Sequence, residues 1–471
     1  MPDKKIYITT PIYYVNDKPH IGHAYTTIAA DVLSRYYRNA GKEVFFLTGV
    51  DEHGAKIAEA AKEAGKDPKE FVDELADKFE KTWKNLNISN DKFFRTTNPD
   101  HEKIVQEFIK KLDTAGYIEK RKYEGLYCVG CERYLMPDEL VDGKCPDHKS
   151  VPAKQTEENY FFLLKKASED HKLLEKIESG EIEVGPNSRK NEVLGKINQG
   201  LDDVSISRAA VEWGIPYPGD ESQTVYVWID ALINYLSAAT LFDEPDIWPA
   251  DLHLMAKDIL WFHAIIWPAM LLAVGEKMPK KVFAHGFFTI DGQKMSKTIG
   301  NVIDPNEIVE KYGADALRYA VLREFPFGED GDISVQKIAD RYNQDLANGL
   351  GNLLNRTISM INKYNVKIQN SGTNEANSTI NKLIEDLKFD TALSEIWKVV
   401  KDGNKFIDDN KPWELAKNGK IEELTKVLNS AYSDLMIIAE LISPFMPETA
   451  EKMKNQLETL KPEAIFPRLN E

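Results

Sequence analysis

The feature that most constrains the fold of this chain is an alternation of strand-like and helix-like stretches that breaks off and later resumes. Ile6–Thr9 reads as a short strand, His20–Asn39 as a long helix ended by Gly41, and Val44–Thr48 as a second strand. The helical stretches Ala55–Ala64 and Pro68–Leu86 follow. Strands separated by helices of this length favour a parallel sheet with right-handed crossovers. The alternation returns with strands at Thr224–Ile229, His253–Ala256 and Val282–His285. In between, roughly Gly116–Gln223 is rich in Gly, Pro and Asn and holds all three cysteines, so it reads as an insertion into the sheet domain.

From about Gln336 the strand signals fade. Leu346, Leu350, Leu353, Leu354, Ile358 and Ile361 recur at helical spacing, and similar patterns run to about Leu457. Asn370–Ser378 reads as a loop between helices. The expected fold class is α/β, a parallel-sheet domain with an insertion carrying the cysteines and a C-terminal α-helical bundle. The expected divisions are 1–115 and 224–290 for the two halves of the sheet domain and 116–223 for the insertion. Residues 291–335 are expected to form a mobile loop and linker, and 336–471 the helical domain.

At 471 residues the chain is long enough for roughly two to four domains with a sizeable core. The start runs from Met1-Pro2-Asp3-Lys4-Lys5 straight into a strand, unlike a secretory signal. The longest apolar run, Ile259–Val274, is too short to span a bilayer and contains His263 and Pro268. It reads as a buried helix. No membrane association is expected, and the cytoplasm is the expected compartment. A net charge of −16 argues against a nucleic-acid partner only if it is spread evenly, because a local basic surface on an acidic protein still grips RNA.

Two short strings carry the chemistry. His20-Ile21-Gly22-His23 opens a helix behind Pro19, a residue favoured at a first helical position. His20 and His23 share one helix face, and Gly22 leaves room for a base or ribose to approach the backbone. The helix N-terminus adds N–H donors and a positive dipole end for phosphate. The competing reading is a metal pair or a surface accident. Lys294-Met295-Ser296-Lys297-Thr298 follows the turn signal Asp291-Gly292. Two mobile lysines three apart suit a triphosphate when their contact is strongest in the transition state. Taken singly, the string is an ordinary solvated loop. Together the two strings describe an ATP site favouring attack at the α-phosphorus, with release of pyrophosphate.

Cys128-x2-Cys131 followed by Cys145-x2-His148 uses every cysteine and fits one tetrahedral zinc. Four protein ligands leave no open position, so the metal is expected to be structural. A disulfide would leave one cysteine over and suits a reducing compartment poorly.

At this point the chain resembles the class I aminoacyl-tRNA synthetases, whose two signatures read like His20–His23 and Lys294–Thr298; Thr298 stands where Ser is more usual. The resemblance implies a Rossmann-type catalytic domain that makes an aminoacyl-adenylate, with Mg2+ accompanying ATP, and then esterifies tRNA without a covalent enzyme intermediate. It assigns catalysis to His20, His23, Lys294 and Lys297, and ATP binding to these with Gly22 and Ser296. It narrows to the methionyl-tRNA synthetases over nearly the whole chain. Thr10-Pro11-Ile12-Tyr13-Tyr14, Val227-Trp228-Ile229-Asp230-Ala231 with Tyr235, and Lys257-Asp258-Ile259 with His263 and Trp267 are similar to that family's substrate strings.

By that resemblance Ile12, Tyr14, Trp228, Ala231, Tyr235, Ile259, His263 and Ile266 line a methionine pocket. Asp51, with Arg208 in Ser205-Ile206-Ser207-Arg208, serves the amino group, carboxylate or adenylate. Aromatic walls suit a polarisable thioether, although any one of these aromatics alone is better explained as core. Asn352 and Arg356, four apart on one helix face, and Trp413 at a helix start match the family's anticodon readers. A Trp face stacks an unpaired base while Asn and Arg read its edge. The competing readings are a solvated helix face and a packing tryptophan. The implied partners are ATP, L-methionine and tRNA(Met), initiator and elongator. No segment like the dimerising C-terminal domain of some members follows, so a monomer is expected. Another class I synthetase, for leucine, isoleucine, valine or cysteine, is the alternative enzyme. The insertion is too small for a branched-chain editing domain, and a closed four-ligand zinc site does not suit the cysteinyl enzyme. A small nucleotidyltransferase would leave the zinc insert unexplained, and a non-catalytic tRNA-binding relative would tolerate loss of the signature residues.

Overall fold

Six segments form one parallel sheet: β1 (Ile6–Tyr14), β2 (Val44–Asp51), β3 (Lys92–Arg95), β4 (Glu183–Gly185), β5 (Leu252–Ala256) and β6 (Lys281–His285). Their order is β3-β2-β1-β5-β6-β4, every neighbouring pair parallel. β1 and β2 are buried almost throughout, which is why both read as continuous apolar runs. The order runs outward in opposite directions from the β1/β5 pair, and open parallel sheets bind ligands outside the carboxyl ends of their strands at such a reversal. Tyr14 ends β1, Asp51 ends β2 opposite it in register, and Lys257-Asp258-Ile259 follow β5. The sheet itself thus delivers three candidates to one edge.

The computed structural model describes residues 5–128, 133–135, 139–146, 149–209, 211–295, 300–369 and 378–467. Cys131, His148, Ser296, Lys297, Thr298 and residues 370–377 of the expected loop Asn370–Ser378 lie outside these, and Ser378 itself starts a helix. Two compact units divide the chain. One takes Met1–Lys18, Glu43–Lys81 and Asn90–His285, and the other Pro19–Lys42, Thr82–Ser89 and Gly286–Glu471. The helices used below are α1 (Ile21–Asn39), α2 (Pro99–Thr114), α3 (Val227–Leu241), α4 (Asn352–Lys363) and α5 (Phe389–Asn410).

In the first unit, the ladder between β1 and β2 shifts register between Thr9 and Ile12, where Pro11 has no N–H to contribute. The Thr10 hydroxyl donates to Thr48 Oγ1 at 2.7 Å beside that bulge. At Gly49 a Cβ would collide with the Phe94 carbonyl oxygen, so glycine is what lets β2 and β3 pair there. The stretch read as an insertion carries an antiparallel sheet of Arg133–Leu135, Ile118–Cys128, Ala153–Phe162 and Val204–Ser205. It also returns β4 to the edge of the parallel sheet, against β6. The expected strand Thr224–Ile229 is a correction: the strand Asp220–Val225 stops and α3 starts at Val227. The apolar run Ile259–Val274 is a π-helical turn, Phe262–Ile266, and a short α-helix, Trp267–Ala273. Among the described residues no helix is long and apolar enough to cross a membrane.

In the second unit the leucines and isoleucines picked out by spacing are core: Leu346, Leu350, Leu353, Leu354, Ile358 and Ile361 are all buried. Tyr342–Gly351 is π-helical and runs straight into α4. α1 is anchored at its middle by a fully buried ion pair, Asp31 Oδ2 to Arg318 Nη2 at 2.7 Å. Burial alone would raise the Asp31 pKa, but the Arg318 and Arg35 guanidiniums and the Ser89 hydroxyl hold it below the usual carboxylate value. Arg318 also donates to the carbonyls of Phe445 at 2.8 Å, Pro444 at 3.0 Å and Leu86 at 3.2 Å.

Candidate active site

α3 begins where Tyr226 leaves the preceding strand, and it places Trp228, Ala231 and Tyr235 on one face at i, i+3 and i+7. The Tyr235 hydroxyl is 2.8 Å from His263 Nε2, and His263 Nδ1 is 2.9 Å from the Ile259 carbonyl. A carbonyl only accepts, so Nδ1 carries the proton, Nε2 is bare, and Tyr235 donates to it. Burial pushes the His263 pKa down to about 4, which keeps the ring neutral. His263 sits in the π-helical turn, a widened turn that recurs at functional sites. Trp228 stacks on Phe262 with ring centroids 4.1 Å apart and planes within 9°.

Ile12, Ala231, Tyr235 and Ile266 belong to one buried cluster, and Tyr14, Trp228 and Ile259 pack half-buried against it. All of these residues belong to the core of the first unit, and the direct contact among the expected pocket residues is that between Tyr235 and His263. Walls of aromatic and aliphatic groups with one phenol and one neutral imidazole suit an uncharged, polarisable side chain. Asp51, buried at the end of β2, supplies a carboxylate suited to an ammonium group. Arg208 is buried with its guanidinium 4.0 Å over the Tyr226 ring, and its Nη1 donates to the Ser207 carbonyl at 2.8 Å. A cavity of about 540 Å³ in this unit is lined by Arg208, Tyr226, Asp258, Trp261, Phe262 and Ile266, among others. Of the expected residues it meets Arg208 and Ile266; Trp228, Tyr235 and His263 do not line it.

In the second unit the first signature makes its own helix cap. His20 is the N-cap of α1, and Pro19 therefore lies before the cap, a correction to its expected place inside the helix. His20 Nδ1 accepts from the Gly22 N–H at 3.1 Å, and His23 Nδ1 accepts from the His20 N–H at 3.3 Å. This is a capping box built from two imidazoles. Because both Nδ1 atoms accept, each neutral ring carries its proton on Nε2. The space that a Cβ at Gly22 would take is occupied by the His20 ring, 2.9 Å away, and the Met295 Cε, 3.5 Å away.

The second signature starts on a hairpin. Phe288–Ile290 pairs with Gln293–Lys294 across Asp291 and Gly292, both left-handed at φ 50° and 76°. The Gly292 N–H donates to Asp332 Oδ1 at 2.6 Å, and the Ile21 N–H donates to the Ile303 carbonyl at 3.0 Å. Met295 on one side of residues 296–299 and Ile303 on the other both lie at the start of α1. Met295 was no sequence candidate, and only its position within the string marked it.

Cys128 ends a strand and Cys145 follows a tight turn in which Val141 and Lys144 pair across left-handed Asp142 and Gly143. The two thiols are buried with Leu135 in a small cluster, Leu140 packed against it, separate from the main core. Two buried thiols beside a strand end and a tight turn are the donor type that a structural zinc takes. Cys131 and His148 lie outside the described residues.

In the helical region the expected anticodon residues also meet. The Arg356 guanidinium is 6.0 Å from the Trp413 ring centroid, and its Nη2 is 2.7 Å from Asp408 Oδ1. Asn352 Nδ2 donates to Asn404 Oδ1 at 3.2 Å. Trp413 is 41% exposed, which leaves part of its ring open to a partner. Asn404 and Asp408, four apart on α5, escaped the sequence reading because polar pairs at that spacing are common on helix surfaces.

Comparison with known proteins gives a consistent result. The family described as tRNA synthetases class I (M) matches residues 6–155 and 148–358, and that described as anticodon-binding domain of tRNA ligase matches 367–467. The chain is 48% identical to the methionine–tRNA ligase of Caldanaerobacter subterraneus subsp. tengcongensis, over 96% of this chain and 74% of that protein. It is 46% identical to the methionine–tRNA ligase of Thermotoga maritima, over 95% of this chain and 74% of that protein. Among solved structures, Mycobacterium tuberculosis methionyl-tRNA synthetase in complex with methionyl-adenylate superposes with a TM-score of 0.90 at 36% identity, covering 99% of each chain.

Proposed function

The chain belongs to the class I methionyl-tRNA synthetases, and on that footing we propose which of its residues carry each step. It is a methionine–tRNA ligase: methionine and ATP give methionyl-adenylate and pyrophosphate, and the methionyl group passes to the 3′ end of tRNA(Met). In the first step a methionine carboxylate oxygen attacks the α-phosphorus and the bond to the bridging oxygen of pyrophosphate breaks. The thioether lies among Ile12, Trp228, Ala231, Tyr235, Ile259, His263 and Ile266, with Tyr14 and Asp51 at the ammonium end. The observation that carries this reading is the Tyr235–His263 hydrogen bond, which presents a neutral, fixed polar edge inside an apolar wall.

His20 and His23 offer their Nε2–H groups to charge developing on the phosphates, where such donors act most strongly. Gly22 keeps the cap compact. Lys294, Ser296 and Lys297 supply donors and positive charge to the triphosphate, which arrives with Mg2+. Asn352, Arg356 and Trp413 read the anticodon of initiator and elongator tRNA(Met). A single zinc held by Cys128, Cys131, Cys145 and His148 would cross-link the lobe inserted in the catalytic domain and take no part in the chemistry. The protein acts in the cytoplasm. ATP–pyrophosphate exchange run across all standard amino acids tests the substrate assignment. Methionine is expected to drive exchange, and stronger exchange with any other amino acid overturns the assignment.

A further inference from the structure

Asp230 stands on α3 between Trp228 and Ala231, and it is 1% exposed. Its Oδ2 is 2.7 Å from Nδ1 of His53, and its Oδ1 is 2.7 Å from Nε2 of His101. His101 Nδ1 is in turn 2.8 Å from Ser237 Oγ, back on α3. His53 follows Asp51 by two residues, just past the end of β2, and His101 lies in the first turn of α2. One buried carboxylate therefore joins the helix carrying Trp228, Ala231 and Tyr235 to the strand end carrying Asp51.

The charge state follows from the partners. An ionised carboxylate only accepts, so both imidazoles donate to Asp230. A buried carboxylate lacking a cation is strongly disfavoured, and one imidazolium makes the group neutral. Glu102 Oε1 lies 4.0 Å from the far nitrogen of His53, which puts the cation there. The groups around His53 are Asp230 on α3, His101 and Glu102 on α2, Glu52 on its own segment with Arg95 bound to it at 2.8 Å, and the Trp213 ring at 5.6 Å. Burial alone would lower the His53 pKa, but Asp230, Glu102 and Glu52 raise it above the ordinary histidine value.

We propose that His53, Asp230 and His101 form a charge-neutral joint that fixes the spacing between Asp51 and the methionine face of α3, so that His53 is a positioning residue for methionine. This rests on the methionine-binding residues assigned above. When His53 loses its proton, Asp230 is left without its cation and α3 is held less firmly to the end of β2. Methionine binding weakens as pH rises through the His53 pKa. ATP affinity and the phosphoryl step use groups outside the joint and do not follow it.

The test measures KM for methionine, KM for ATP and kcat in pyrophosphate exchange with the full chain, from about pH 6.5 to about 9. In the parent protein the methionine KM rises across this range while the ATP KM stays flat. His53→Asn keeps a donor at the Nδ1 position but cannot titrate. It raises the methionine KM by about tenfold at the low end, as loss of one charge-assisted hydrogen bond does, and it flattens the part of the pH profile that His53 supplies. Titration of free methionine is common to every variant and cancels between them. The proposal is overturned if His53→Asn shows the parent methionine KM and pH profile. It is equally overturned if kcat and both KM values worsen together with a lower thermal midpoint, the pattern of a merely structural role. If methionine fails to drive exchange in the parent protein, the underlying assignment is what fails.

Discussion

His20 and His23 stack ring on ring, with centroids 3.7 Å apart and planes 21° from parallel, while each Nδ1 accepts a backbone N–H of the same turn. The two imidazoles thus cap a helix and present their protonated edges in one arrangement. His20→Asn separates the roles, because asparagine is among the best N-caps but lacks the Nε2–H donor. We expect it to keep the thermal midpoint and slow exchange by about tenfold or more, with the methionine KM little changed. His20→Ala is expected to lose the cap as well, about 1 kcal/mol of stability, read by denaturant unfolding.

Tyr235→Phe removes the donor to His263 Nε2 and leaves a buried acceptor unmatched. The methionine KM is expected to rise by about tenfold, with the ATP KM unchanged, since one unpaired buried polar group costs on the order of 1–3 kcal/mol. An unchanged methionine KM in exchange assays removes this pair from the binding site.

The depressed pKa of His263 makes stability depend on pH with a definite sign. Between its ordinary value of 6.5 and its folded value of about 4 the unfolded chain takes up a proton that the folded chain does not. Its contribution to stability is therefore complete above about pH 6.5 and is lost as pH falls toward 4, at most about 3 kcal/mol. His253, held neutral by burial, acts in the same direction. Urea unfolding at neutral and mildly acid pH is expected to show a smaller acid loss in His263→Gln than in the parent.

Lys297→Ala and Trp413→Ala are expected to fail at different steps. The lysine variant slows adenylate formation by about a hundredfold with little change in methionine binding, the signature of a contact made in the transition state. The tryptophan variant charges tRNA more slowly while exchange proceeds at the parent rate. Equal loss of binding and rate in the first, or unchanged charging in the second, counts against the assigned role.

Chelation tests the metal. One equivalent of zinc per chain is expected, released together with thiols that then react with a thiol reagent, and Cys145→Ser lowers that stoichiometry. Retention of the metal by Cys145→Ser would remove this residue from the ligand set.

Much of this was legible from sequence for identifiable reasons. β1, β2, β5 and β6 are buried on both faces, so their apolar runs are continuous and easy to place. The segment from Val227 was misread as a strand because α3 is buried on nearly every side, and a helix without a polar face shows no 3.6-residue period. The π-helical turn at His263 has no sequence signal of its own. The joint at Asp230 gathers His53 and His101 from segments more than a hundred residues away, which no local pattern could connect.

The two family matches meet between residues 358 and 367, a seam that invites cutting the chain into a catalytic piece and a tRNA-reading piece. Arg318 lies before that seam, yet two of its carbonyl acceptors, Pro444 and Phe445, lie well beyond it, and it also pairs with Asp31 on the signature helix. A fragment ending at the seam would strip two acceptors from a guanidinium that has no access to water, and α1 would lose its brace. Cutting there would therefore loosen the signature helix itself, because one guanidinium braces both α1 and the chain around Pro444.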